Sequence, residues 1–269
     1  MRGIAFLAAI GAAAFIGWCA DQSPTAGTTK PPDVNVDEII HKFAAKEKEF
    51  ATARNNYTYR QTLKLEELDP SGNSTGHLWQ QTSDIIFNPD GRRMEKVIWA
   101  PVQNLQNIGL TPDDMADLIY VQPFVLTTDE IPEYNISYVG REKIDEIGTY
   151  VFSVKPKKLV KGKRYFEGQI WVDDRDLQIV KSYGKGTGVK HDDDQYPRFE
   201  TYREQIDGKY WFPTYTHADD TLHFKDLSQR IRLVIRYQDY KRYEGKSTIK
   251  YGDVVDDKAA TPPPTTKKK

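Results

Sequence analysis

Two runs in this chain set a histidine beside carboxylates: His191-Asp-Asp-Asp194 and His217-Ala-Asp-Asp220. An imidazole nitrogen with several carboxylate oxygens is the donor set of a zinc or hard-cation site. The spacing argues against one. Neither run has the two histidines a helical turn apart that a helix-borne metal site uses, and both fall between expected strands, where acids favour turns and solvent. A calcium-stabilised loop at 192–194 is the version the acids would suit best, and no metal site is assigned. His41 and His77 read as surface or edge residues, and His223 lies next to a charged turn. Gly184-Lys-Gly-Thr-Gly188 has the glycines of a phosphate loop without its spacing or its following helix, and reads as a flexible hairpin tip. There is no Gly-x-Ser-x-Gly elbow. Cys19 is the single cysteine, so the mature domain has no internal disulfide, thiolate metal site or cysteine nucleophile. With no catalytic residue, metal or cofactor to assign, the chain is expected to bind rather than to catalyse.

The elements around these residues belong to a sheet. Tyr165-Phe-Glu-Gly-Gln-Ile-Trp-Val-Asp173 alternates, with Phe166, Gly168, Ile170 and Val172 on one face and Tyr165, Glu167, Gln169 and Trp171 on the other. Asp173-Asp-Arg-Asp176 supplies a turn, and the chain resumes as a strand to Lys181. Upstream, Tyr150, Phe152 and Val154 alternate with Val151, Ser153 and Lys155 until Pro156 removes a ladder donor. The basic residues Lys155, Lys157, Lys158, Lys161, Lys163 and Arg164 suit phospholipid headgroups, an acidic partner or a solvated loop. Trp171 is expected in a core beneath the amino-terminal helix or at an interface.

One long helix precedes the sheet. Val36, Ile39, Ile40, Phe43, Ala44, Phe50 and Ala51 recur at helical spacing behind Asn35, a capping residue. From Tyr57 the period becomes two: Tyr57, Tyr59, Gln61, Leu63 and Leu65 share a face. Breakers at 69–76 and at Asn88-Pro-Asp-Gly91 turn the chain through a hairpin and into a third strand. Between 100 and 133 the alternation stops, and Thr111 to Tyr120 reads as a short helix with a capping Thr, Pro at its first position and apolar Met115, Leu118 and Ile119. Its flanks are more apolar than an ordinary connection, so the segment must cover something. Strands are expected over Tyr134 to Gly140, Phe199 to Gln205, Tyr210 to His217 and Gln229 to Tyr240, with a turn at Asp207-Gly208. In the last of these Ile231, Leu233 and Ile235 oppose Arg230, Arg232 and Arg236. The fold class is mainly β, α+β in type: ten to eleven antiparallel strands in one open, strongly twisted sheet, with the amino-terminal helix and a short lid helix on one side.

The ends read differently. Residues 3–20 carry no charge and follow Met1-Arg2, as in a signal peptide or membrane anchor. Trp18 stands where either a signal-peptidase site or a lipoprotein box at Cys19 wants a small residue, so cleavage, acylation and a retained anchor all stay open. Residues 21–35 form a flexible linker, 36–255 the domain and 256–269 a disordered Pro/Lys tail. A net charge of −1 over 269 residues gives nucleic acid no global electrostatic hold. The 16 Tyr and 11 Phe suit half-buried pleated surfaces.

Asn55-Asn-Tyr57-Thr-Tyr-Arg-Gln61 at the end of the helix, Tyr150-Val-Phe-Ser-Val-Lys-Pro156, Tyr165 to Asp173 and Ile179-Val-Lys181 resemble the outer-membrane lipoprotein-sorting family, whose relatives are the LolA, LolB and RseB-type periplasmic proteins. The match spans most of residues 36 to 240, and its motifs are strand and turn patterns. The resemblance implies an open half-barrel whose concave apolar face is lidded by helices and takes acyl chains of lipoproteins or lipids. It further implies a periplasmic location, or one on the periplasmic face of the outer membrane of a Gram-negative-type bacterium, with possible membrane association through the amino terminus. The family's lid-tethering arginine has no assigned counterpart here, with Arg60 a candidate by location alone. The expected lining is Tyr59, Leu63, Leu65, Phe152, Val154, Ile170, Val172, Ile231, Leu233 and Ile235, with Met115, Leu118 and Ile119 on the lid. The alternative is a periplasmic sensor or scaffold that binds another envelope protein.

Overall fold

The computed structural model describes residues 35–88, 90–189 and 196–242. The expectations for the leader, for the linker before residue 35, for the acidic loop 191–194, for the domain beyond 242 and for the tail lie outside these residues.

Asn35 opens the helix by accepting the Glu38 backbone N–H, and α1 runs Val36–Arg54. Its buried positions, Ile39, Phe43, Ala44, Glu47 and Phe50, form one stripe. Among the described residues ten strands follow, joined for the most part by short turns: β1 Tyr57–Leu68, β2 Ser74–Phe87, β3 Arg93–Trp99, β4 Tyr134–Ile144, β5 Ile147–Pro156, β6 Tyr165–Asp173, β7 Ile179–Thr187, β8 Phe199–Ile206, β9 Tyr210–His223 and β10 Ser228–Arg242. The turn at Asp207-Gly208 has positive φ at both residues, the mirror-image turn that matches strand twist.

The sheet order is β3-β2-β1-β10-β9-β8-β7-β6-β5-β4, with antiparallel neighbours throughout. Two meanders therefore meet where β1 pairs with β10, Leu63 opposite Ile235 and Leu65 opposite Leu233. Ladders are offset at points such as Thr58/Arg60, Tyr138/Gly140 and Trp171/Val172. Such bulges bend and twist a sheet. Among the described residues β3 and β4 have no outer neighbour, so the sheet is the expected open half-barrel.

Because β3 and β4 lie at opposite edges, residues 100–133 have to carry the chain across the sheet. This strap holds α2, Pro112–Ala116, a π turn over Asp117–Val121 and a 3-10 turn over Ile131–Glu133. Thr111 and Asp114 form a reciprocal capping box at the start of α2. The single helix expected over 111–120 is split, because the Gln122 N–H reaches back to Asp117 O. Leu118, Val121, Phe124 and Leu126 of the strap share one core with Ile39, Phe43 and Ala44 of α1, so both helices lie on the concave face.

Four expectations are corrected. Trp171 does not lie beneath α1: it packs with Val151 and Val180 in a separate cluster and donates its indole N–H to Glu142 at 2.7 Å. Tyr165 leaves the polar face and is buried in the main core against Tyr134, ring centroids 6.0 Å apart. Gly184 to Thr187 are no hairpin tip but lie within β7. Gly184 faces Gly168 across the ladder, and a Cβ on either would meet the Phe166 ring and the neighbouring backbone. His217 to Asp220 lie inside β9, where Asp219 is neutralised by Arg230 and Arg232 of β10, at 2.9 and 3.0 Å.

Candidate functional site

Between the strap and the β1–β10 seam lies an apolar cleft. Leu65, Leu222, Ile231 and Leu233 form its floor, Trp79 and Phe199 flank it, and Ile108, Leu110 and Leu118 close it from above. The cavity measures about 110 Å³. A second, much smaller cavity of about 10 Å³ lies further along β1 at Leu63, Met115 and Ile119. Beyond it a third chamber of about 210 Å³ opens beside Tyr59, Ile119 and Tyr120. Neighbouring chambers share walls: Trp79 and Leu118 for the first two, Arg93 and Ile119 for the second and third.

Buried charges fasten the strap. Glu67, fully buried at the end of β1, accepts the backbone N–H groups of Gln106, Asn107 and Ile108 at 3.0, 2.7 and 3.0 Å on one oxygen. Asn107 also donates to Gln229 of β10. Further along, Asp117 receives Nε and Nη2 of Arg164 at 2.7 and 2.6 Å, a planar fork on a carboxylate. Arg164 lies over the Tyr196 ring at 3.9 Å. Burial pushes the Asp117 carboxyl up to about 6, against the pull of Arg164. Past the π turn, Arg203 of β8 donates to Phe124 O and to both oxygens of Glu47 of α1, 3.1 Å each. Glu47 also accepts the Ile179 N–H at 3.2 Å. Burial raises the Glu47 pKa despite Arg203.

These contacts correct two expectations. Arg60 tethers no lid: it pairs with Asp84 on the face away from the cleft, at 2.9 and 3.3 Å. Arg164 is no part of a solvated basic loop, since its side chain is 7% exposed. Lys163 is likewise engaged, by Glu133 at 2.6 Å.

Of the lining expected from alternation, Leu65, Ile231, Leu233 and Leu118 wall the first chamber, Leu63, Met115 and Ile119 the second and Tyr59 the third. Phe152, Val154, Ile170, Val172 and Ile235 point to the same side but are fully packed in the core that α1 shares, Phe43 lying on Phe152 at 5.4 Å. Sequence reasoning missed Glu67, Asp117, Arg164, Glu47 and Arg203. One signal was available: Glu66-Glu67 interrupts an alternating apolar strand, which forces an acid inward. Among the described residues no group of three or more His, Cys, Asp or Glu converges as metal ligands, and no helix is long and apolar enough to cross a membrane.

No protein-family model matches this sequence, and no curated protein matches it. Among solved structures the chain is similar to a DUF1329 family protein from Desulfovibrio piger, with 16% identity, 78% of this chain and 94% of that one covered and a TM-score of 0.43. It is similar to a LolA superfamily protein from Nitrosomonas europaea, with 14% identity, 77% and 93% covered and a TM-score of 0.36. It is also similar to the Pseudomonas aeruginosa MucA/MucB complex structure, with 10% identity, 74% and 99% covered and a TM-score of 0.23. At these scores the fold assignment stands on the strand order and register described above.

Proposed function

We propose that this is an exported binding protein, not an enzyme, that holds an acyl chain of a lipoprotein or lipid in the cleft between the strap and the β1–β10 seam. The observation that carries this reading is that cleft: an apolar floor, an apolar roof and buried polar groups spent on fastening the roof. Its location in the periplasm or at the outer membrane follows the leader-like residues 3–20 and the family resemblance. Each buried methylene stabilises such a complex by about 0.8 kcal/mol, so no catalytic group is needed for tight holding. The half of the concave face beneath α1 is filled by its own side chains, which narrows the reading to the half at β1, β9 and β10. A cavity of about 110 Å³ is below the ~300 Å³ of ordinary ligand sites, so the strap has to rise for a whole chain to enter.

Native mass spectrometry of protein purified from its own membrane fraction tests this. Co-purifying acyl species that disappear in Leu233→Glu support the reading, and acyl-free protein that also ignores added dodecanol ends it. A second reading, capture of an extended segment of another envelope protein, is favoured by the edge strand β3, where Met94, Val97, Ile98 and Trp99 are about half exposed. Crosslinks from β3 to a partner, with the cleft empty, would select it.

A further inference from the structure

The third chamber differs from the first in carrying charge. Arg54, the last residue of α1, lines it with Arg92 and Arg93 and with Tyr59, Tyr237 and Tyr240. Arg92 is matched by Asp90 at 3.2 Å and Arg93 by Glu95 at 3.0 Å. Arg203, which also acts on Arg54 through space, is paired with Glu47. Arg54 has no such match: no carboxylate among the described residues lies within ion-pairing distance, and its Nε is buried without a hydrogen-bond partner. Its guanidinium rests against the Phe50 and Phe87 rings, at 6.0 and 5.7 Å. Burial lowers its pKa, yet an arginine stays charged in a protein, and the Glu47 carboxylate that attracts it through space is itself paired with Arg203. A cavity of about 210 Å³ adjoins it, room for several waters or one tetrahedral anion.

We propose that this chamber is an anion site centred on Arg54, which takes the phosphate or carboxylate headgroup of an amphiphile whose tail runs along β1 into the apolar cleft. The headgroup supplies the direct ion-pair partner that Arg54 lacks among the described residues. From Tyr59 to Leu65 the strand spans about 20 Å, at roughly 3.3 Å per residue, the length of a long acyl chain. The tail part of this assignment rests on the cleft reading above, whereas the anion part rests on Arg54 alone.

Titration calorimetry with three probes below micelle-forming concentration separates the two: dodecyl phosphate, dodecanol and inorganic phosphate. The wild type is expected to bind dodecyl phosphate at least tenfold more tightly than dodecanol. In Arg54→Met the ratio should fall to near one with dodecanol affinity unchanged, and Arg54→Lys, which keeps the charge, should retain a several-fold preference. A ratio near one in the wild type, or an unchanged ratio in Arg54→Met, overturns the anion site and leaves the cleft. Failure of both dodecyl compounds while inorganic phosphate binds in an Arg54-dependent way overturns the tail assignment and points to a free phosphate. Thermal melts control for folding. Because phosphate binding stabilises the native state, it should raise the melting temperature of the wild type and not of Arg54→Met, and equal shifts in both count against the site.

Discussion

Arg164 holds Asp117 over a glycine. The two residues are 47 positions apart, they meet through paired contacts of 2.7 and 2.6 Å, and Gly186 of β7 lies beneath the carboxylate where any Cβ would collide with it. The strap is thus keyed to the sheet by a charge pair and a missing side chain.

Removing the acid should loosen the strap. Asp117→Asn takes the closer of two carboxylates from a buried guanidinium, leaving Asp113 at 3.5 Å, and should cost about 1–3 kcal/mol. Gly186→Ala should act in the same direction by displacing the carboxylate. Hydrogen exchange would show faster exchange over residues 105–124 in both variants. Unchanged protection there would mean that the strap is held without this pair.

Acidity should act on the same point with a defined sign. The folded Asp117 carboxyl titrates at about 6, above its unfolded value of about 3.9. The folded state therefore binds the proton more tightly, and the group's favourable contribution is complete below about pH 3.9 and lost as the pH rises through 6. Glu47, raised by burial, has the same sign. Thermal melts at pH 5 and pH 7 should show a relative gain at pH 5 in the wild type that shrinks in Asp117→Asn. An identical pH dependence in both proteins would assign the effect to other groups.

The Glu47–Arg203 pair should be more costly to break than to replace. Arg203→Met alone leaves Glu47 buried and half-satisfied, a loss of about 3–5 kcal/mol, whereas the double change to Met at both positions should recover most of it. Urea unfolding of the two singles and the double measures the coupling. Additive losses would show that the charges act independently.

Glu67 anchors the other end of the strap. Its carboxylate takes three backbone N–H groups, so Glu67→Ala should destabilise by about 3 kcal/mol, whereas Glu67→Gln, which keeps an acceptor oxygen, should cost less. Near-equal losses in the two variants, read from urea midpoints, would mean that the charge rather than the acceptor is what matters.

The sheet was legible in the sequence because a period of two names the inward face residue by residue, and Tyr57 to Leu65 shows it without exception. The capping residues Asn35 and Thr111 likewise announce themselves locally. Long-range partners do not. Glu47 and Arg203 stand 156 positions apart, and each reads as an ordinary charged residue until β8 is brought under α1. Periodicity says which way Phe152 and Leu233 point, but not that Phe43 fills one half of the face and leaves the other open. The glycines at 184–188 misled for a related reason: their use is the close approach of Phe166 and Asp117, from elsewhere in the chain.

A flap hinged at one side can swing clear of what it covers. The segment over this trough cannot, since it is tied at both ends to opposite margins of the sheet, and it can only bow. A chain bound in the proposed cleft would then have to pass lengthwise, as thread goes under a staple, leading with one end along β1.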